Sequence, residues 1–184
     1  LNLDTLNHTL HVIETFLNVT RIEAGKMDLN KEPVDLCIMT REIYKELALT
    51  ASRKKIRLVF SCPQKNAMVR ADKEKLRNVL FNLVENALKY TEHGIIKTTI
   101  NVGSKRVEMR VTDTGIGIAP EEVPKLFAKF VRAGGGLKIS HGSGLGLYIV
   151  KTLIEAHGGE AFVESPGVGK GSTFGFRMSA GKVR

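Results

Sequence analysis

The stretch GSGLGL at residues 142–147 places glycine at every second position, immediately before a predicted amphipathic helix from Gly144 to about His157. The N–H groups and the positive dipole end at a helix start suit a phosphate group, and glycine leaves room for close approach. The pattern is not a P-loop, because no Gly-Lys-Ser/Thr follows. It is not a dinucleotide fingerprint either, because no strand leads into it.

A second candidate set lies on a helix predicted from a cap at Asp72 to about Tyr90. At about 100° per residue, Asn82, Asn86 and Lys89 fall on one narrow stripe beside the apolar stripe. An amide oxygen can bind a hard cation and a lysine can bind phosphate. The alternative is that these are capping or surface residues whose amides are satisfied locally.

A third candidate is the segment VTDTGIGIAP at residues 111–120, where an apolar strand ends in Asp113, followed by Gly115 and Gly117. A carboxylate beside bare backbone can accept a hydrogen bond from a ligand amine. An aspartate before glycines is also common in an ordinary turn. Both interpretations stay open on this segment alone.

Periodicity predicts the elements that would position these residues. Besides the two helices above, we expect a bundle-type helix within 1–27, a helix over 36–53 capped by Asp35, strands at 56–62, 94–103, 105–113, 160–165 and 172–178, and a short helix from Pro120 to about Phe127. Adjacent hairpins indicate a mixed sheet. The predicted fold class is α+β, a two-layer α/β sandwich over 28–184 preceded by the helix of 1–27.

The composition is that of a soluble globular domain, with 184 residues, 42% hydrophobic content and net charge +9. No acidic residue occurs between Val123 and Ile154, which is either a solvated basic face or the surroundings of a polyanionic ligand. We do not expect nucleic acid, because no such motif is present and aromatic residues are few. Cys37 and Cys62 are expected to be reduced thiols, since they show no paired spacing.

The order of these motifs resembles the N, G1, F and G2 boxes of the sensor histidine kinase catalytic domain. In this chain the four boxes read FNLVENALKYT, DTGIG, LFAKFVR and GSGLGL. That family belongs to the ATPase superfamily of gyrase, MutL and the heat-shock chaperone. The segments 20–36 and 154–176 are similar to the family's domain junction and closing strands. The resemblance implies a Bergerat-type ATP-binding fold behind the second helix of a dimerisation hairpin.

The resemblance also implies residue roles. Asn86 would bind Mg²⁺ and Lys89 would reach the phosphates, as the two catalytic residues. Asp113 would accept from the adenine amino group, with Thr173 supporting it. The implied nucleotide-binding set is Asn82, Asn86, Lys89, Tyr90, Asp113, Gly115, Gly117, Ile118, Phe130, Arg132, Lys138, Gly142, Ser143, Gly144, Leu145, Gly146, Leu147 and Thr173. Residues 131–143 would form a lid over ATP, anchored by Phe127 and Phe130.

The implied function is positioning of Mg-ATP for γ-phosphoryl transfer to a histidine on the first dimerisation helix, for relay to the aspartate of a response-regulator receiver domain. Hydrolysing members of the superfamily carry a glutamate where Asn82 stands, and an amide is no general base, so we expect slow ATP hydrolysis. No His-Glu/Asp-Leu-Arg-x-Pro stretch occurs in the sequence, and His8 and His11 are expected to be surface or bundle residues.

The expected partners are therefore a receiver domain and either the chain's own dimerisation helices or a second kinase subunit. We expect a cytoplasmic location without membrane contact by this part, in a parent protein that is either membrane-anchored or soluble. Two alternatives remain open at this stage: a serine or other protein kinase of the same fold, and a non-catalytic ATP-dependent switch.

Overall fold

The computed structural model describes residues 28–62, 66–131 and 144–181, so the helix predicted within 1–27 lies outside the described residues. The strands are β1 Lys31–Asp35, β2 Ile56–Ser61, β3 Met68–Asp72, β4 Gly94–Val102, β5 Arg106–Asp113, β6 Glu160–Glu164 and β7 Ser172–Ser179. The helices are α1 Leu36–Arg53, α2 Lys73–Tyr90 and α3 Gly146–Ala156. None of these helices has the length and hydropathy that crossing a bilayer requires.

The main sheet has the strand order β2-β4-β5-β7-β6, with β2 and β4 parallel and every other neighbouring pair antiparallel. The three helices cover one face, against which Val107, Met109 and Val111 of β5 are buried. Residues at the alternate positions of β5, including Glu108 and Arg110, lie on the other face. The predicted two-layer fold with a mixed sheet is confirmed.

Local capping explains why α1 and α2 begin where they were predicted to begin. Asp35 Oδ1 accepts a hydrogen bond from the Cys37 N–H at 2.8 Å, and Asp72 Oδ1 accepts one from the Lys75 N–H at 3.1 Å. The buried positions of α1 include Leu36, Met39, Ile43 and Leu47. They follow helical spacing, so burial of this stripe against the sheet holds the helix in place.

Two elements differ from the prediction. Strands β1 and β3 were not predicted; within the described part of the chain they form a two-stranded antiparallel sheet of their own, with Lys31 opposite Asp72. The predicted helix from Pro120 to Phe127 is wrong, because only a 3₁₀ turn at Val123–Lys125 forms. Pro124 lacks an N–H group and disfavours helical geometry at the preceding residue.

The expectation of two separate thiols is also wrong. Cys37 and Cys62 form a disulfide with their Cα atoms 6.4 Å apart. Cys37 lies in the first turn of α1, and Cys62 directly follows β2, the strand against which α1 packs. The chain reverses between them, so two cysteines without a paired spacing become neighbours.

His157 joins the end of α3 to the beginning of α2. Its Nε2 accepts from the Asp72 N–H at 3.0 Å, so Nδ1 carries the proton that it donates to the Leu153 carbonyl at 2.7 Å. The residue is only 9% exposed. Burial lowers the pKa of His157, as do the positive charges of Lys31 and Lys75, against the opposing effects of the Leu153 carbonyl and Asp72.

This lowered pKa predicts a pH-dependent stability. Below pH about 6.5 the unfolded chain binds a proton at His157 that the folded chain resists. The free energy of unfolding should therefore fall as the pH drops from about 7 towards 5, measured by urea titration. A His157→Gln variant should show a smaller slope, and exposed His93→Gln should keep the original slope. Equal slopes in all three proteins would contradict the assignment.

Candidate functional site

Asp113 ends β5 as a buried carboxylate, 4% exposed. Its Oδ1 accepts from the N–H groups of Gly115 at 2.8 Å and Ser172 at 3.3 Å, and its Oδ2 accepts from the Ser172 hydroxyl at 2.5 Å. The placement of Thr173 beside Asp113 is wrong: the Thr173 hydroxyl pairs with that of Thr112, on the other face of the sheet. The strand register places Ser172 opposite Asp113, and the sequence prediction missed Ser172 by one position.

The loop after Asp113 is fastened to the end of α2. The Ile116 N–H donates to the Tyr90 carbonyl at 3.1 Å. A Cβ on Gly115 would lie 2.3 Å from that same carbonyl oxygen, so glycine is required here by packing within the protein. Gly117, with φ +66°, faces the Gly167 carbonyl in the same way, at 2.1 Å. The buried Ile118 ends this loop.

The polar stripe of α2 meets the first turn of α3. Asn82 is 6% exposed, and its Nδ2 donates to the carbonyl and the side-chain oxygen of Asn78 at 2.9 and 2.5 Å. A Cβ on Gly146 would lie 2.8 Å from Asn82 Oδ1 and 3.8 Å from Asn86 Nδ2. The structure therefore brings Asn82, half-buried Asn86 and Gly146 together, whereas Lys89 lies one turn on, with Nζ 5.2 Å from the Tyr90 ring centre.

The backbone ends that flank residues 132–143 are held together. The Phe130 N–H donates to the Gly144 carbonyl at 3.1 Å, and Gly144 has φ +71°. Anchoring by the Phe130 side chain is wrong, since that side chain is 68% exposed; Leu126 is buried there instead, beside half-buried Phe127. The predicted site residues outside the described part of the chain are Arg132, Lys138, Gly142 and Ser143.

Leu145 and Leu147 flank Gly146 and belong to the apolar packing of α3. Leu145 occupies the N-cap position and is buried, and half-buried Leu147 packs against the core. An apolar side chain at the N-cap supplies no hydrogen-bond acceptor to the first turn, so this helix start is not capped by its own side chain. These leucines hold the turn in place, and its backbone N–H groups are the polar component.

Lys54 was not singled out by the sequence, yet it holds the end of α2. Its Nζ donates to the carbonyl of Leu88 at 2.6 Å and, less closely, to those of Thr91 at 3.3 Å and Lys89 at 3.5 Å. A cation at a helix C-terminus offsets the negative dipole end and satisfies carbonyls that have no partner within the helix. Sequence analysis could not identify this contact, because Lys54 lies 34 residues before Leu88.

Replacing Lys54 by methionine should lower the free energy of unfolding by about 1–2 kcal/mol, because it removes a charged donor from the end of α2. Urea unfolding monitored by circular dichroism measures the loss. The matched control is exposed Lys55→Met, which should change the free energy by less than about 0.5 kcal/mol. Equal losses in the two variants would show that the contact with α2 contributes nothing.

The described residues fit a nucleotide. A buried carboxylate with an adjacent bare backbone suits an amine-bearing base, and the amides of α2 beside the start of α3 suit phosphate oxygens with a hard cation. Within the described part of the chain, no group of three or more His, Cys, Asp and Glu side chains could hold a metal ion by itself.

Comparison with known proteins defines the class. Residues 71–182 match the family model described as histidine kinase-, DNA gyrase B- and HSP90-like ATPase. The chain belongs to this family, and its described part has the family's ATP-binding fold.

The individual relatives are histidine kinases, as the resemblance implied. The circadian input-output histidine kinase CikA of Synechococcus elongatus is 37% identical over 175 residues, which cover 93% of this chain and 23% of the relative. The crystal structure of full-length ShkA in complex with AMPPNP matches with TM-score 0.85 and 30% identity, over 98% of this chain and 38% of ShkA. The crystal structure of histidine kinase ThkA in complex with response regulator protein TrrA matches with TM-score 0.73 and 26% identity, over 97% of this chain and 50% of the matched chain. The chain thus spans half or less of each relative.

Proposed function

We propose that this chain is the catalytic ATP-binding part of a histidine kinase, which positions Mg-ATP for γ-phosphoryl transfer to a histidine outside this sequence. The observation that carries the proposal is that α2 contacts both candidate regions: the loop after Asp113 is bonded to Tyr90 at the end of α2, and the Asn82–Asn86 stripe of the same helix meets Gly146. Asp113, the proposed base acceptor, is buried at the same alternate positions of β5 as the residues that face the helices, and the proposed phosphate-binding turn begins one of those helices. The ATPase family and the named relatives support this assignment.

In this proposal each site residue contacts a different part of Mg-ATP. Asp113 accepts a hydrogen bond from the adenine amino group, while Ser172 and the Gly115 N–H hold its carboxylate. Asn86 offers its amide oxygen to Mg²⁺, Lys89 binds phosphate oxygens, and the N–H groups at the start of α3 receive the terminal phosphates. Mg²⁺ held by Asn86 and the phosphates would supply positive charge beside the transferring phosphoryl group.

The Asn82 amide argues for transfer over hydrolysis. It is buried, it is bonded to Asn78, and it cannot take a proton from water. The chain would then supply positioning and charge stabilisation, and the nucleophile would come from the acceptor histidine. A receiver domain is the proposed final acceptor; the complex of ThkA with TrrA, a response regulator protein, supports that choice.

Calorimetric titration with a non-hydrolysable ATP analogue, with and without Mg²⁺, tests the site. The unmutated chain should bind more tightly with Mg²⁺, and Asn86→Asp should change that Mg²⁺ dependence while leaving adenosine affinity unchanged. Asn101→Asp, an exposed site on β4, is the charge-matched control. No binding by the unmutated chain would overturn the proposal. Phosphoryl transfer to a supplied serine substrate, with none to a supplied dimerisation hairpin, would show that the acceptor is serine and not histidine.

A further inference from the structure

The turn between β6 and β7, residues 165–171, lies directly on the loop 113–118. The Gly169 N–H donates to the Ile116 carbonyl at 2.6 Å, and the Gly171 N–H donates to the Gly115 carbonyl at 3.1 Å. Between these bonds, a Cβ on Gly117 would lie 2.1 Å from a carbonyl oxygen of the same turn. The two backbones are therefore in direct contact at residues 115–117 of the loop.

A single hydroxyl, that of Ser165, joins the turn to the far end of this loop. Ser165 Oγ accepts from the N–H groups of Ile118 at 3.0 Å and Gly167 at 3.3 Å, and it donates to the Gly171 carbonyl at 2.8 Å. One donor and two acceptors are all that a serine hydroxyl has. Ser165 thus uses its full capacity on backbone groups of the two segments and makes none of the expected ligand contacts itself.

The two segments that Ser165 joins are each connected to Asp113. Gly171, held by Ser165, immediately precedes Ser172, whose hydroxyl and N–H bind the Asp113 carboxylate. Ile118, held by the same hydroxyl, ends the loop that begins at Asp113. Removing the Ser165 hydroxyl would leave the Ile118 N–H without its acceptor and release the turn from the loop.

We propose that Ser165 is a positioning residue for base selection: it holds the loop 113–118 and the turn 165–171 so that the Asp113 carboxylate is presented in one orientation. The inference rests on the proposed function, in which Asp113 reads the adenine amino group. It goes beyond that function because it assigns base selectivity to a residue that is remote in sequence from all four boxes. A purely stabilising role would affect all ligands alike.

Affinities of Ser165→Ala for ATP, GTP and inorganic triphosphate separate the two roles. We expect about tenfold weaker ATP binding, corresponding to one lost hydrogen bond, and little change for GTP and triphosphate, so the ATP:GTP preference falls about tenfold. Ser165→Thr, which keeps the hydroxyl, should restore the preference. Ser104→Ala, an exposed serine in the β4–β5 hairpin, should leave it unchanged. Circular dichroism establishes that each variant is folded at the titration temperature.

An unchanged ATP:GTP preference in folded Ser165→Ala, or an equal loss for all three ligands, would overturn the role of Ser165 and leave the proposed function standing. No nucleotide binding by the unmutated chain would overturn both. Amide hydrogen exchange on the unmutated chain provides a second test. Because coupling is reciprocal, adenosine should slow exchange at Ile118 and leave the Gly103 N–H, bonded to the Arg106 carbonyl at the distant hairpin, unchanged. Equal exchange at Ile118 with and without adenosine would contradict the inference.

Discussion

Replacing Asp113 by asparagine is expected to weaken binding of a non-hydrolysable ATP analogue by about 100-fold, since charge-assisted hydrogen bonds contribute about 1.5–3 kcal/mol. The protein holds Oδ1 through two N–H donors, so the amide oxygen of asparagine would take that place. Its NH₂ group would then take the place of Oδ2 and face the amino group of the base, so that two hydrogen-bond donors would oppose each other. Calorimetric titration measures the change.

The matched control is Glu108→Gln. Glu108 lies on the same strand but on the open face, where it pairs with Arg177 and Arg110. This variant removes a carboxylate charge from β5 without touching the site, so nucleotide affinity should stay within about twofold of the original, a difference of only about 0.4 kcal/mol. Equal losses in the two variants would mean that Asp113 acts only through the general charge of the strand.

Gly171→Ala should cause the largest loss of stability among single glycine substitutions in the β6–β7 turn. Gly171 has φ +71°, and a Cβ there would lie 2.0 Å from the Asp113 carbonyl oxygen, a backbone atom that cannot move aside cheaply. Left-handed strain and the clash together should lower the free energy of unfolding by about 3–5 kcal/mol. Urea unfolding or thermal melting measures the loss.

Gly169→Ala separates strain from the clash. Gly169 lies in the same turn with φ +77°, but a Cβ there meets nothing within 4 Å. Its substitution should cost only about 1–2 kcal/mol, the penalty for a left-handed residue. Similar losses at positions 169 and 171 would show that the contact with β5 does not limit what residue 171 can be.

Features that depend on neighbours in sequence were predicted almost to the residue. Asp35 and Asp72 bond to N–H groups two and three residues ahead, so the starts of α1 and α2 follow from local chemistry. The helical stripe that places Asn82 near Asn86 is likewise local. The bounds of β4 and β5 were likewise predicted to within one residue, from the composition of each strand and the turn between them.

Features that depend on distant partners were missed. β1 and β3 are short, and each is stabilised by the other, which is remote in sequence. The disulfide and the Lys54 contact link elements in the same non-local way. The error at Thr173 is a one-residue slip in register, which moves a side chain to the opposite face of the sheet. Such contacts require the fold to be known first.

The glycines of the site can be explained either by room for a ligand or by packing within the protein, and the sequence alone could not distinguish the two. Alternating glycines before α3 were interpreted as room for phosphate. Gly144 and Gly146 also face the Phe130 backbone and the Asn82 amide, where a Cβ would lie 3.0 and 2.8 Å away. The left-handed backbone and the Phe130 contact are sufficient reason for Gly144, and the Asn82 contact favours glycine at position 146, so a glycine pattern by itself does not prove a ligand.

The bond from the Asp72 N–H to His157 fixes α3 at one end, whereas Gly146 meets the polar stripe of α2 at the other. Eleven residues of helix separate these points, a length of about 16 Å. With the His157 end fixed, a rigid rotation of α3 by only about 4° about that end would move Gly146 by about 1 Å. The contact between His157 and Asp72 therefore helps to set the position of the first turn of α3 from the opposite end of the helix, together with Leu145 and Leu147, which hold that turn locally.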